Sequence, residues 1–117
     1  LNIETYRAYC IAKKGVTEDF PFDHSTLVFK VLGKMFALAD VDAFESVNLK
    51  CRPEEGVALM EQYVGINPGY HMNKKHWITV DISADVGDQL LIKLIDDSYD
   101  LVVAGLPKKQ QQALLEA

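Results

Sequence analysis

The sequence predicts an α+β fold: a single domain with a small, largely antiparallel sheet and flanking helices, in the order α-β-β-β-α-β-β-α. A chain of 117 residues is long enough to bury one core and too short for two. TLVFKV and KMFALAD are strand-like runs joined by Leu32-Gly33, and sequence-adjacent strands with a short turn make an antiparallel pair. Helix-period apolar positions bracket the strands, with no repeat and no low-complexity linker to mark a domain boundary.

The first helix follows Asn2, a good N-cap, and carries Ile3, Tyr6 and Cys10 at helical spacing until Lys13-Lys14-Gly15. After a loop built around Phe20-Pro21-Phe22-Asp23, Leu27, Phe29 and Val31 alternate with Val28 and Lys30, and the chain turns into KMFALAD. Ser46 to Cys51 is the third strand. Pro53 then suits the first position of a helix whose initial turn holds Glu54 and Glu55 at the positive dipole end, with Val57, Met60 and Val64 as its expected buried stripe. Asn67-Pro68-Gly69 breaks the pattern. In HWITVDI, Ile78, Val80 and Ile82 alternate with Trp77, Thr79 and Asp81, so Trp77 is expected on the face opposite the aliphatics. The last long helix, capped by Ser83 or Asp85, aligns Leu91, Leu94, Ile95, Ser98 and Val102 until Gly105 and Pro107. The domain is expected over residues 1–109, with 110–117 a C-terminal tail, helical or frayed.

Apolar residues at 49% and charged residues at 25% are the composition of an ordinary globular protein. No apolar run approaches the roughly 20 residues of a membrane-spanning helix and no secretory pattern opens the chain, so a cytoplasmic location is expected and no membrane role. Cys10 and Cys51, without CxxC spacing, suggest buried thiols and neither a disulfide framework nor a zinc ribbon. The net charge of -5 argues against a protein that coats nucleic acid, yet the charges are unevenly spread. Residues 24–80 carry six basic and six acidic groups, and Lys30, Lys34, Lys50, Arg52, Lys74 and Lys75 fall in stretches free of acids. A fold that brought those stretches together would give an acidic protein one basic face.

The densest chemistry lies in NPGYHMNKKHW, residues 67–77. His71 and His76, five apart in a turn-to-strand segment, do not converge on one centre, and Lys74-Lys75 repel a cation, so no metal site and no cofactor is expected. The chain has no GxSxG elbow, no HExxH and no phosphate-cradling glycine loop, so no catalytic residue is assigned. Glu18-Asp19 and Asp23 suit turns and caps better than paired catalytic carboxylates, and His24 suits a turn. Lysines can attract phosphates while an exposed Trp77 stacks on a base. On the packing reading, Trp77 instead covers the sheet edge and Tyr70 and His71 hydrogen-bond across the turn.

GVTEDFPFD (15–23), LVFKVLGKMFAL (27–38), PGYHMNKKHW (68–77) and SYDLVVAGLPKK (98–109) together resemble the MmcQ/YjbR family over nearly the whole chain. The resemblance implies an α+β fold related to the double-wing arrangement, a curved antiparallel sheet presenting two hairpin wings, and with it a proposed DNA-binding role. The Lys30 to Lys34 hairpin would be one wing, and Lys74, Lys75, His76 and Trp77 the second contact region. The apolar Leu32 at the first tip and the acidic C-terminal helix depart from a groove-inserting design.

Two functions remain open. In the first, a DNA-binding accessory protein uses Lys30, Lys34, Lys50, Arg52, Lys74 and Lys75 on phosphates, with His71 and Trp77 against bases or sugars. In the second, a pocket shaped by Tyr70, His71, Asn73, His76 and Trp77 receives an acidic protein or a small anion. Neither requires an enzyme.

Overall fold

The computed structural model describes residues 1–69 and 72–117. In chain order these form α1 (Ile3–Ile11), β1 (Val16–Asp19), β2 (Thr26–Val31), β3 (Lys34–Asp40), β4 (Ser46–Lys50), α2 (Pro53–Gln62), β5 (Ile66–Pro68), β6 (Trp77–Asp81), α3 (Asp88–Ala104) and α4 (Lys108–Glu116). The strands make one antiparallel sheet in the order β1-β2-β3-β4-β6-β5. The α+β class is as expected, with two additions. VTED has too little alternation to read as a strand, but the free edge of β2 recruits it as β1, with Val16 opposite Val31 and Asp19 opposite Val28. Residues 110–117 are not a free tail: they fall in and at the end of α4, which buries Leu114 in the core.

Local chemistry explains most boundaries. Asn2 accepts the Thr5 N–H at 2.8 Å while Thr5 Oγ1 accepts the Asn2 N–H at 3.1 Å, a reciprocal cap on α1. Leu32 and Gly33 both take positive φ, 46° and 85°, the conformation that a two-residue hairpin turn requires. Pro53 opens α2 as expected, but the helix is rotated from the anticipated stripe. Met60 packs against the core as expected, but Val57 is 53% exposed, Val64, past the end of the helix, is 85% exposed, and Gly56 faces the sheet. A Cβ at position 56 would meet the Cys51 sulfur at 3.0 Å and Ile78 at 3.6 Å, so a side chain there would require the Cys51 sulfur to give way by a few tenths of an ångström. Gly87, not Ser83 or Asp85, stands at the N-cap of α3. The Asp85 carboxylate is engaged elsewhere, accepting the N–H groups of Val64 and Gly65 at 2.8 Å each and pinning the entry to β5.

The helices cover one face of the sheet. Tyr6 and Cys10 of α1, Leu91, Leu94, Ile95 and Val102 of α3, and Leu114 of α4 share a core with Phe29, Val31, Val47, Leu49, Ile78 and Val80. Asp96 of α3 accepts both the Tyr9 hydroxyl and Lys13 Nζ at 2.6 Å, tying α1 to α3. The opposite face carries a smaller cluster of Val28, Leu38 and Trp77, joined by Met35 and Met72, with no helix among the described residues. Among the described residues no helix is long and apolar enough to cross a membrane.

One irregularity organises the centre. The β2–β3 register slips between Phe29 and Lys30, leaving Phe36 as the extra residue of a bulge. Phe36 and Ala37 both enter the core, where Phe36 packs on Phe29 and, edge to face, on Tyr99 of α3. The β3–β4 ladder runs only from Ala39 opposite Val47 to Ala37 opposite Leu49. Beyond it, the fully buried Ser98 hydroxyl donates to the Phe36 carbonyl at 2.5 Å and accepts the Lys50 N–H at 2.9 Å.

Ser98→Ala leaves that carbonyl and that N–H without a partner and should cost about 2–3 kcal/mol in chemical denaturation; a loss within experimental error would show that the bridge is dispensable. Asp85 gives a pH signature. The N–H groups of Gly65 and then Val64 hold its carboxyl below the usual carboxylate range. A depressed folded-state pKa stabilises the fold above the unfolded pKa and is lost as pH falls through the folded one. The thermal midpoint of Asp85→Asn should therefore lie below that of the parent at neutral pH and converge with it in acid.

Candidate functional site

Antiparallel pairing places the start of β3, the end of β4 and the start of β6 at one end of the sheet. Lys50 is the register partner of Trp77. Lys34 and Lys50 line a shallow groove of about 390 Å³ with Met35, Trp77 and the C-terminal turn of α3 at Leu101 and Gly105, and among the described residues no acid lines it. Lys74 and Lys75 stand at the same end on a turn built by Asn73. The Asn73 side-chain oxygen accepts the Lys75 N–H at 3.0 Å, and its carbonyl accepts the N–H groups of His76 and Trp77 at 3.1 and 3.0 Å. His76 in turn accepts the Cys51 N–H at 2.9 Å, so the turn is laced to the end of β4. Gly69 lets β5 approach closely, its N–H reaching the Trp77 carbonyl at 2.9 Å where a Cβ would lie 2.7 Å from that of Trp77.

The six candidate cations divide. Lys34, Lys50, Lys74 and Lys75 gather at this end with no ion pair among the described residues. Lys30 projects from the open face of β2 and pairs with Asp19 at 3.6 Å, and Arg52, at the N-cap of α2, pairs with Glu55 at 3.5 Å. The anions of the strands and of their loops collect mainly at the other end: Asp19, Asp40 and Asp81 close β1, β3 and β6, and Asp23, Asp42, Glu45 and Asp85 occupy the loops there, whereas Glu54 and Glu55 open α2 on the lysine side. The charge of the sheet is therefore sorted along the strand axis.

Two features depart from the nucleic-acid reading, and the first agrees with the packing reading of Trp77. Trp77 does lie opposite Ile78 and Val80, but it is only 8% exposed, packed with Val28 and Leu38, so it cannot offer an open face to a base. The hairpin tip is not a free wing: the Leu32 N–H donates to the Gly15 carbonyl at 3.1 Å, and its side chain lies beside Gly15 and Leu114. Asn73 is exposed and His76 half-buried, while Tyr70 and His71 lie outside the described residues.

The acids and thiols singled out in the sequence are structurally occupied. Glu18 pairs with Arg7, and Asp23 accepts the N–H groups of Ser25 and Thr26. Burial pushes the Cys10 thiol up to about 12 and raises that of Cys51, against the thiolate form that nucleophilic chemistry needs. Among the described residues no three His, Cys, Asp or Glu converge as metal ligands.

Sequence reasoning missed a second concave feature. On the open face, a cavity of about 410 Å³ is lined by Phe22, Asp23, Leu38, Asp40, Asn48 and Met72 among others. Two signals for it were present: Asn48 interrupts an aliphatic strand, and Phe22 follows Pro21 in a loop, where it remains 63% exposed.

Trp77→Ala should destabilise the fold by about 3–5 kcal/mol, as truncation of a buried aromatic does, whereas Lys74→Ala/Lys75→Ala should stay within about 0.5 kcal/mol. Denaturation midpoints check both, and a mild Trp77→Ala would return the ring to a surface role.

Comparison with known proteins agrees with this architecture. The YjbR family model matches residues 11–101. YbdF of Escherichia coli O157:H7 is 43% identical over 110 residues, covering 93% of this chain and 90% of YbdF. YjbR of Escherichia coli K12 is 31% identical over 117 residues and covers 99% of both chains. The crystal structure of the Deinococcus radiodurans protein DR2400, a DUF419 domain, superposes with a TM-score of 0.89 at 40% identity, covering 97% of this chain and 87% of that one. A Pseudomonas syringae protein superposes with a TM-score of 0.73 at 31% identity, over 86% of this chain and 98% of that one. With a family match over most of its length, relatives above 30% identity and a solved structure that superposes at a TM-score of 0.89, the chain belongs to the YjbR family.

Proposed function

We propose that the protein binds nucleic acid, DNA in the first instance, as an accessory protein that contacts the phosphate backbone without reading bases. The observation that supports this is the sorting of charge along the strand axis, which presents Lys34, Lys50, Lys74 and Lys75 together on a protein of net charge -5. Lysines of this kind supply sequence-independent attraction to phosphates. The acids at the far end orient the molecule on approach, since a polyanion is repelled there and attracted at the lysines. Burial of Trp77 removes the base-stacking part of the expected contact, leaving backbone recognition.

A second reading draws on the groove itself. A concavity with two lysines and no acid among its lining residues also suits a small anion or an acidic segment of a partner protein. Binding that strengthens with the length of the duplex favours the first reading, and saturable binding of a short anion without length dependence favours the second.

Anisotropy of labelled duplex DNA across a salt series tests the proposal. Four phosphate contacts give a slope of about -3.6 for the logarithm of the association constant against that of salt concentration, and Lys74→Ala/Lys75→Ala should reduce it to about -1.8. A flat salt dependence, or binding indifferent to that double substitution, overturns it.

A further inference from the structure

The cavity on the open face has a chemistry opposite to that of the lysine end. Leu38 and Asn48, register partners across β3 and β4, line it with Phe22 and Met72, and Asp23 and Asp40 join them. Among the described residues no lysine or arginine lines it, and Asp81 lies next door as the register partner of Ser46. Its volume falls within the range of about 300–1,000 Å³ typical of small-molecule sites.

Its parts are held in place before any ligand arrives. Asp23 ties down the loop that carries Phe22, accepting the N–H groups of Ser25 and Thr26 at 2.9 and 2.7 Å and the Thr26 hydroxyl at 3.0 Å. Phe22 is thereby kept beside the cavity with its ring 63% exposed and within reach of a ligand there. Thr79, itself buried, donates to Asn48 Oδ1 at 2.6 Å and orients that carboxamide. Asp40 Oδ1 accepts the N–H groups of Asp42 and Ala43 at 2.8 and 3.2 Å, and its Oδ2 carries no bond among the described residues. The site therefore offers apolar walls, an aromatic ring and an available carboxylate oxygen in a field of negative sign.

We infer that this cavity binds a small aliphatic amine, its ammonium on Asp40 Oδ2 and its alkyl body between Phe22, Leu38 and Met72. The ammonium makes a charge-assisted hydrogen bond and gains from the face of Phe22. The charge sorting that favours anions at the far end disfavours them here, so this site and the lysine end take ligands of opposite sign, and the inference does not depend on nucleic-acid binding.

NMR titration of the full chain with hexylammonium, and with hexanoate and hexanol as partners of matched length, tests the inference. Hexylammonium should bind saturably with shifts centred on Leu38, Asp40 and Asn48, about tenfold or more tighter than hexanoate or hexanol. Asp40→Asn, which retains the oxygen that accepts the Asp42 and Ala43 N–H groups, should weaken hexylammonium by about tenfold without lowering the thermal midpoint. Phe22→Ala, at an exposed position, should weaken it while leaving the core intact. Non-saturating shifts, equal binding of hexanoate or hexanol, or indifference to both substitutions overturns the site. Tighter binding of a capped lysine amide than of hexylammonium overturns the small-amine assignment in favour of a lysine side chain of a polypeptide.

Discussion

The Ser98 hydroxyl, set between the Phe36 carbonyl and the Lys50 N–H, is the contact on which the rest of the architecture turns. A bulge that sends two consecutive residues of β3 into the core interrupts the regular β3–β4 pairing and exposes two backbone groups at its edge. Buried polar groups without partners are expensive. By bridging them, a side chain of α3 becomes part of the sheet, so helix and sheet are joined by hydrogen bonds as well as by apolar burial. The same bridge sets the end of β4, and with it Lys50, the Cys51 link to His76 and the groove beneath Trp77.

Because α3 is anchored there, with α1, α2 and α4 around it, one side of the sheet carries no helix among the described residues. A bare sheet face normally needs polar side chains or a partner. This one has a small apolar cluster of Val28, Leu38 and Trp77 bordered by Lys30, Lys50, Asn48, Thr79 and Asp81. Trp77 stabilises that cluster, so a residue whose chemistry suggests recognition acts in packing. On the proposals made above, recognition falls to its neighbours: the lysines on the Asn73 turn at one end, and the cavity beside Phe22 at the other.

The two ends follow from a single feature. Up-and-down strands return every second connection to the same end, so alternate loops share a location whatever their separation in sequence. Here the connections at one end carry lysines and those at the other carry aspartates. An overall charge of -5 therefore describes neither end. Each is governed by its local field, because at moderate salt exposed charges farther apart than a Debye length of about 8–10 Å are largely screened from one another.

Much of this was readable from sequence. Period-two alternation in β2 and β6, the Leu32-Gly33 turn, the Asn2 cap and the stripe on α3 are local signals, set by backbone geometry within a few residues, and each element formed where its signal lies. The apolar stripe likewise identified Ser98 as inward-facing, but not as a bridge, because its partners are 62 and 48 positions away. β1 depended on the exposed edge of β2, the rotation of α2 on the close approach of Gly56 to Cys51, and the order of α4 on the pocket that Leu114 fills beside Gly15. The candidate lysines could be named from acid-free stretches, whereas which of them stay unpaired was decided by whether an acid from another strand or helix turn lay within reach, as Asp19 does for Lys30 and Glu55 for Arg52. The residue types, their charge and their local conformations were determined along the chain; the burial of Trp77, the sorting of charge and the cavity at Asp40 arise only when distant strands are set side by side, because long-range contacts are properties of the packed sheet and not of any segment within it.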